Sequence, residues 1–522
     1  MTPRLPRGFQ GASGAILLAF VWLAATTWVR PLMLPDEGRY VGVAWEMLRS
    51  GHWLVPTLDG LPYFHKPPLF YWITAASLSV FGQHEWAARV APLAGGTIAA
   101  AALYLFASRW AGRRVARLAL LVLVTQPLLF AGAQFANLDM LVAGCIAATV
   151  LAFASAILAM EQGQSARGAL LAGYVFAALG LLAKGLIGIV LPGMVIVAWV
   201  LVLRRPRALL RILWLPGLIV FAAIGVPWFV AMQDRFPDFF HYFFIVQHFK
   251  RFTTTHFNNP APFWFYLVIL PVGALPWSGW LAAVARRRYW REPERGRLRL
   301  LMWLWLGLIT LFFSLPKSKL IGYILPTTAP LAFIVADAIT IATAAGGERS
   351  RRWVKATAAA AVAICLAVVV GVAAAPTKSL RAIGQALAQR VAPGEQVVFL
   401  NAYYFDLTYY GRLQAPARVV DNWNDPAVTS HDDWHKELFD AEHFQAPSAP
   451  PVLILPSALP QLLCTGHATW VVGSVSLLPR YPMFRSATEV ARERDIALWR
   501  VPAGGVNVAL CSGRPSVNSA GM

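Results

Sequence analysis

The chain is a succession of apolar runs, each near the length of a bilayer crossing and each broken by a short polar or basic loop. A crossing needs ~20 apolar residues, and threading the chain on that basis yields about eleven spans. The runs begin with Ala15–Val29 and end with Val354–Ala375. Of the 522 residues, 58% are hydrophobic and only 13% charged, too few to cover a soluble protein of this size. A formal net charge of +20 raises the question of nucleic acid. Its distribution argues against that: the cations sit in runs such as Arg204–Arg205–Pro206–Arg207 and Arg286–Arg287–Arg288, between apolar segments. Such runs mark cytoplasmic loops and suit anionic lipid headgroups. The apolar run after the basic start Met1–Arg7 ends in bulky residues without a small-residue cleavage site, which predicts an uncleaved first helix and a cytoplasmic N-terminus.

An odd number of crossings then puts two loops and the tail outside, in the periplasm or its equivalent. The first outer loop is about 32–86, and within it Tyr40–Leu48 and Leu69–Phe81 have helical apolar spacing. The second is about 233–262. From Pro376 the composition turns polar and Pro-rich, with short apolar runs at 397–400, 452–455 and 474–478. These read as strands of a small soluble α/β domain over 376–522, set against a membrane domain over 1–375. Cys145 and Cys365 lie in apolar runs and read as core residues. Cys464 and Cys511 are the tail's only cysteines and are expected to form a disulfide in an oxidising compartment.

Four polar groups fall on the outer side in this threading. They are Asp36–Glu37 with Arg39, Tyr40, His65 and Lys66 in the first loop; Asp139 at a helix start; His248, Lys250 and Arg251 in the second loop; and Lys317 with Lys319 before the tenth span. Ionisable groups at membrane depth are costly and point to function. The bland alternatives are an interfacial histidine at 248 and snorkelling lysines at 317 and 319. The functional reading is that cations hold a phosphate of a lipid-linked substrate while a carboxylate deprotonates or orients an acceptor.

Five segments, LPDEGRY (34–40), GLPYFHKPPLFYW (60–72), AQFANLDM (133–140), VQHFKRF (246–252) and SKLIGYILP (318–326), resemble in order the motifs of the aminoarabinose transferases. Those belong with the protein O-mannosyltransferase-like membrane enzymes of GT-C fold, and the resemblance covers roughly residues 13–345. It implies an inverting transfer of a sugar from undecaprenyl phosphate to lipid A, a glycan or a protein at the periplasmic face of the inner membrane. By position it makes Asp36 the catalytic carboxylate, as base or acceptor-orienting group, with Glu37 beside it, and Asp139 a second acidic residue of the same cavity. It makes Lys66 and Arg251 the phosphate-holding cations, with Arg39, Tyr40, Lys250, Lys317, Lys319 and Tyr323 as further substrate contacts. It implies a divalent metal (Zn²⁺, or Mg²⁺ or Mn²⁺) at His248.

Three departures separate the chain from that family. His65 stands where the family has a metal-ligating Glu, so the metal is either held by His65 with His248 or lost. Gly38 stands where Pro is common, and there are two fewer apolar spans. A lipid-linked-sugar transporter or flippase is the competing class, as is a non-catalytic paralogue in an envelope complex. The chain shows no internal repeat and no midplane charge pair of the kind transporters use.

Overall fold

The structure, a computed structural model, describes residues 11–503 apart from 251–258, 292, 345–346, 376–377, 447 and 465–466. The side chains of 248–250, 293–294 and 485–486 also lie outside the description. The chain divides into two compact units, Met1–Arg30 with Phe64–Pro376, and Pro31–Tyr63 with Thr377–Met522.

Among the described residues the first unit holds seven helices long and apolar enough to cross a membrane, or nine if two bent pairs each count as one span. The runs expected as a first and a sixth span are helices of 13 and 16 residues, Ala12–Ala24 and Ile187–Val202, short of that criterion. The expected third span is bent by 65° between Arg113–Val124 and Pro127–Ala133. Proline has no N–H to continue the ladder and crowds the preceding turn. The indole of Trp277 donates to Thr125 Oγ1 at the break (2.9 Å). The expected eighth span turns by 111° between Phe265–Gly273 and Trp277–Ala285, at Pro276, so it does not run straight through.

The most enclosed helices are Ile321–Thr343 and Leu138–Glu161, with 94% and 83% of their apolar windows buried, against 11% for Gly347–Ala374. The two enclosed helices carry the buried carboxylates of the unit's described residues, Asp139 and Asp337. Asp337, fully buried, accepts from Arg295 Nη1 (2.7 Å) and Arg299 Nε (2.6 Å). The sequence reading did not anticipate this ionic triad. Its partners lie in separate helices 38 and 42 residues apart, so no local pattern betrays it.

The second unit is a sheet with helices on it. Its hairpin is β1 (Thr57–Leu58) and β2 (Leu61–Pro62). Its main strands are β3 (Gln396–Leu400), β4 (Arg418–Val420), β5 (Leu453–Ile454), β6 (Thr469–Ser474), β7 (Thr488–Glu493) and β8 (Ile496–Val501). They lie in the order β5-β4-β3-β6-β8-β7. β5, β4, β3 and β6 run parallel, and β8 and β7 add an antiparallel edge. Val398, Leu400, Val420, Val471 and Trp499 form its core. The run 474–478, expected as a strand, is instead a 3₁₀ turn over Val475–Leu477. The Ser474 hydroxyl accepts the Ser476 N–H (3.1 Å) and ends β6 there.

Pro31–Tyr63, which the sequence reading assigns to the membrane domain, packs with this second unit. The helix Asp36–Ser50 buries Tyr40, Val41, Val43, Ala44 and Met47. Tyr410 Oη accepts from the Leu32 N–H (2.9 Å), and Asp59 Oδ1 accepts from the Ala417 N–H (2.8 Å). Glu46, fully enclosed, accepts from the Thr57 hydroxyl (2.8 Å) and the Asp59 and Gly60 N–H groups (2.7 and 2.9 Å). Burial pushes both the Glu46 and Asp59 carboxyls up, Asp59 the further of the two because Glu46 lies beside it. Cys464 is disulfide-bonded, while Cys511, its expected partner, lies outside the described residues.

Candidate active site

In the second unit, Asp36 is the first residue of the helix Asp36–Ser50. A carboxylate in the first turn is favoured by the unpaired N–H groups and dipole there. Its side chain is 35% exposed. Glu37, expected to share its catalytic part, is completely buried and accepts the Met33 N–H (2.8 Å). That bond holds the entry to the helix and gives Glu37 a structural task. Arg39 Nη1 sits 3.1 Å from Glu437 and 3.6 Å from Asp36, with its guanidinium 4.9 Å from the Phe405 ring centre. Burial opposes its charge, but Glu437, Tyr63, Tyr40 and Asp36 together hold it firmly protonated. Its charge is thereby balanced inside the unit, so Arg39 positions the Asp36 helix; the sequence reading made it a substrate contact. Tyr40 is buried with it.

Gly38, the departure within LPDEGRY, has a packing cause. A Cβ there would lie 2.6 Å from Leu34 Cδ2 and 3.0 Å from both Asp406 N and Phe405 Cβ. A methyl there would crowd Leu34 Cδ2 and residues 405–406, which would have to give way to admit it.

In the first unit, Asp139 lies in the first turn of Leu138–Glu161. Asn137 caps that helix by accepting the Asp139 N–H (3.1 Å). The Asp139 carboxylate pairs with Lys184, their side chains 8% and 12% exposed. Lys184 Nζ also lies 4.5 Å from the centre of the Tyr323 ring, within cation–π range. Asp139 and Tyr323, 184 positions apart in sequence, are thus joined through a lysine that sequence reasoning left out of the site. Its signal was present: Lys184 ends a helix and precedes Gly185, an ionisable group at the end of an apolar run. The turn Ile321–Thr327 crosses directly over the carboxylate, since a Cβ on Gly322 would fall 2.1 Å from Asp139 Oδ2. Tyr266, also absent from the sequence reading, ties this turn by donating to the Leu320 carbonyl (2.9 Å).

The remaining expected residues make other contacts or lie outside the described residues. Lys319 is buried. It donates Nζ–H to the carbonyls of Ala261 (3.0 Å) and Pro316, and burial lowers its pKa. Two of its three N–H groups are committed to fastening the turn, so the structure makes it a brace where a phosphate contact was expected. Lys317 is exposed and its carbonyl accepts the Ala261 N–H (3.0 Å). Lys66 is half-buried in the turn before Leu69–Phe81. His65 is buried, with Nε2 2.8 Å from Tyr242 Oη, which also accepts from Gln247 Nε2 (3.0 Å). His248 and Lys250 lie in the π-helical segment His241–Lys250 with side chains outside the description; Arg251 lies outside the described residues.

A metal at His65 needs converging ligands. No three His, Cys, Asp or Glu side chains come together among the described residues, and Tyr242 takes the His65 Nε2. His248, the other expected ligand, has its side chain outside the description, and the chemistry proposed for the chain runs through no metal.

The model of the dolichyl-phosphate-mannose-protein mannosyltransferase family matches residues 65–230. An undecaprenyl phosphate-α-4-amino-4-deoxy-L-arabinose arabinosyl transferase from Erwinia tasmaniensis is 38% identical over 310 residues, 59% of this chain and 55% of that protein. Its counterpart from Aeromonas salmonicida is 36% identical over 359 residues, 67% of this chain and 64% of that protein. The chain thus spans 55–64% of the length of these two relatives. ArnT from Cupriavidus metallidurans, crystallised bound to undecaprenyl phosphate, superposes with a TM-score of 0.75 at 25% identity. That match covers 97% of this chain and all of that one. The chain has the fold of a multi-pass membrane protein of the GT-C type. Its likeness in sequence and fold is to the aminoarabinosyl transferases.

Proposed function

We propose that the protein is a glycosyltransferase that moves a sugar, aminoarabinose or a close relative, from undecaprenyl phosphate to an acceptor such as lipid A. The observation that carries the reading is Asp36: a carboxylate 35% exposed in the first turn of the helix Asp36–Ser50, with the Arg39 guanidinium beside it. It is supported by the likeness to ArnT over nearly the whole chain. In the proposed step the acceptor oxygen attacks the anomeric carbon opposite the phosphate. The carbon–oxygen bond to phosphate breaks, its electron pair stays on the phosphate, and undecaprenyl phosphate leaves. Asp36 takes the proton of an acceptor hydroxyl, or orients an acceptor phosphate that carries none. Lys66 and Arg251 hold the carrier phosphate. Asp139 and Lys184 form a charge pair that fixes the turn bearing Tyr323. We place the protein in the inner membrane, with a cytoplasmic N-terminus and a periplasmic second unit.

The test is transfer in proteoliposomes loaded with undecaprenyl-phosphate sugar and lipid A. Sugar on the acceptor, lost in Asp36→Asn, supports the reading. Flipping of the lipid-linked sugar without transfer would assign the protein to the transporter class, and neither activity would mark a non-catalytic paralogue.

A further inference from the structure

One basic run, Arg204–Arg207, stands outside the proposed chemistry. The chain leaves the helix Ile187–Val202 there and enters a short helix, Arg207–Ile212. Between these and the last turn of Leu138–Glu161 is a cavity of about 450 Å³. Arg204, Arg205, Arg207 and Arg211 line it, with Ile157, Met160 and Glu161. Glu161 is its sole carboxylate and is already shared, 2.5 Å from Arg205 and 2.7 Å from Arg297. Four guanidinium groups thus line the cavity with one carboxylate, itself shared with Arg297 outside it, a surplus that calls for an anion.

The surroundings say which kind. Leu210, Leu213 and Leu215, in and just after the short helix, are 70%, 62% and 67% exposed. Val202, at the end of the preceding helix, is 57% exposed. Bare leucines of this extent on a membrane unit face acyl chains. Arginines around a hollow, edged by exposed leucines, suit a charged head attached to an apolar tail. Basic pockets between the ends of membrane helices hold anionic lipid headgroups in this way. Arginine's planar fork pairs two phosphate oxygens at once.

We propose that this pocket binds the phosphate headgroup of an anionic phospholipid, with its acyl chains along Leu210 and Leu213. The site anchors the Arg207–Ile212 helix at the membrane surface and is separate from the transfer chemistry, whose candidate residues lie in other segments of the chain.

The experiment uses the full-length protein in nanodiscs of phosphatidylcholine containing either a tenth phosphatidylglycerol or none, with lipid retention read by native mass spectrometry. The variants are Arg204→Gln, Arg207→Gln and Arg211→Gln, singly and combined, with Arg352→Gln on an exposed helix as the control. Retention of phosphatidylglycerol over phosphatidylcholine is expected in the wild type and the control. It should weaken about five-fold for each arginine removed. Equal retention of the two lipids by the wild type, or an unchanged preference in the triple variant, would overturn the proposal. Thermal stabilisation by millimolar inorganic phosphate that displaces the lipid would assign the pocket to a soluble phosphate and overturn the lipid source. Lipid preference lost while sugar transfer persists would show that the site stands apart from catalysis.

Discussion

Lys184→Met is expected to be among the most damaging single changes in the membrane unit. The ammonium pairs with Asp139 while both side chains are about nine-tenths buried, and it also lies over Tyr323. Removing it leaves a buried carboxylate with no counter-charge, which typically costs about 3–5 kcal/mol. The lost cation–π contact adds about 0.5–2 kcal/mol. Asp139→Asn strands the lysine instead and should cost a comparable amount. The double variant leaves no uncompensated charge, since the amide and the thioether that replace the pair fill its space as neutral groups. It should therefore be less destabilised than the two singles summed, with a coupling of about 2–4 kcal/mol. The assay is a double-mutant cycle on the purified protein in detergent, unfolded by denaturant and read by tryptophan fluorescence. Costs that add to within about 0.5 kcal/mol would refute the reasoning, because they would mean that the two charges are solvated independently. Transfer should fail in all three variants, since the turn carrying Tyr323 rests on the pair.

Asp36→Asn should lower transfer by about 10²–10⁴-fold with insertion and unfolding midpoint unchanged; wild-type turnover by the folded variant would remove Asp36 from its role. Gly38→Ala should destabilise the second unit by about 1–3 kcal/mol by forcing its helix off the 405–406 backbone, seen as a lower denaturation midpoint. Burial pushes the Asp406 carboxyl up to about 6 from an ordinary 3.8, although hydrogen bonds from the Leu380 N–H and the Ser379 hydroxyl pull the other way. The folded state therefore keeps a proton that the unfolded state has released. Stability should fall by about 3 kcal/mol as pH rises from about 4 to about 6, a slope that Asp406→Asn should flatten in pH-dependent unfolding.

What the sequence disclosed followed from periodicity and motif. Apolar runs of bilayer length, helical spacing at Tyr40–Leu48 and Leu69–Phe81, and the strand at Val397–Leu400 are all local patterns, readable because a few neighbouring residues decide them. Asp36 and Asp139 stood out as candidates because a carboxylate beside an apolar run has few structural excuses. What stayed hidden depends on distance. Nothing near Asp139 announces Lys184, 45 residues on, and nothing near Asp337 announces Arg295 and Arg299. Arg39 and Lys319 carry a charge that reads as substrate-binding, yet Glu437 and two backbone carbonyls claim it in the fold. Proline explains the bent spans in hindsight. A Pro in an apolar run is common in membrane helices, however, and does not by itself say whether the helix kinks or reverses.

The second unit raises a question of assembly that no local pattern answers. Its two pieces meet through bonds between residues 358 to 378 positions apart, Asp59 with Ala417 and Leu32 with Tyr410. The entropy of closing so long a connection grows only with the logarithm of its length, and the membrane helices in between are folded bodies in their own right. The closure is therefore feasible once those helices are inserted, and late by necessity, since the segment from 377 on is made after them. Until then Gly38 has no 405–406 backbone to lie against, Arg39 has no Glu437, and Asp59 has no Ala417. The helix that begins with Asp36 is only 15 residues long, marginal in isolation. Its amphipathic face is completed by the tail. The helix that begins with the candidate base thus takes its position from a later part of the chain, through Phe405, Tyr410, Ala417 and Glu437.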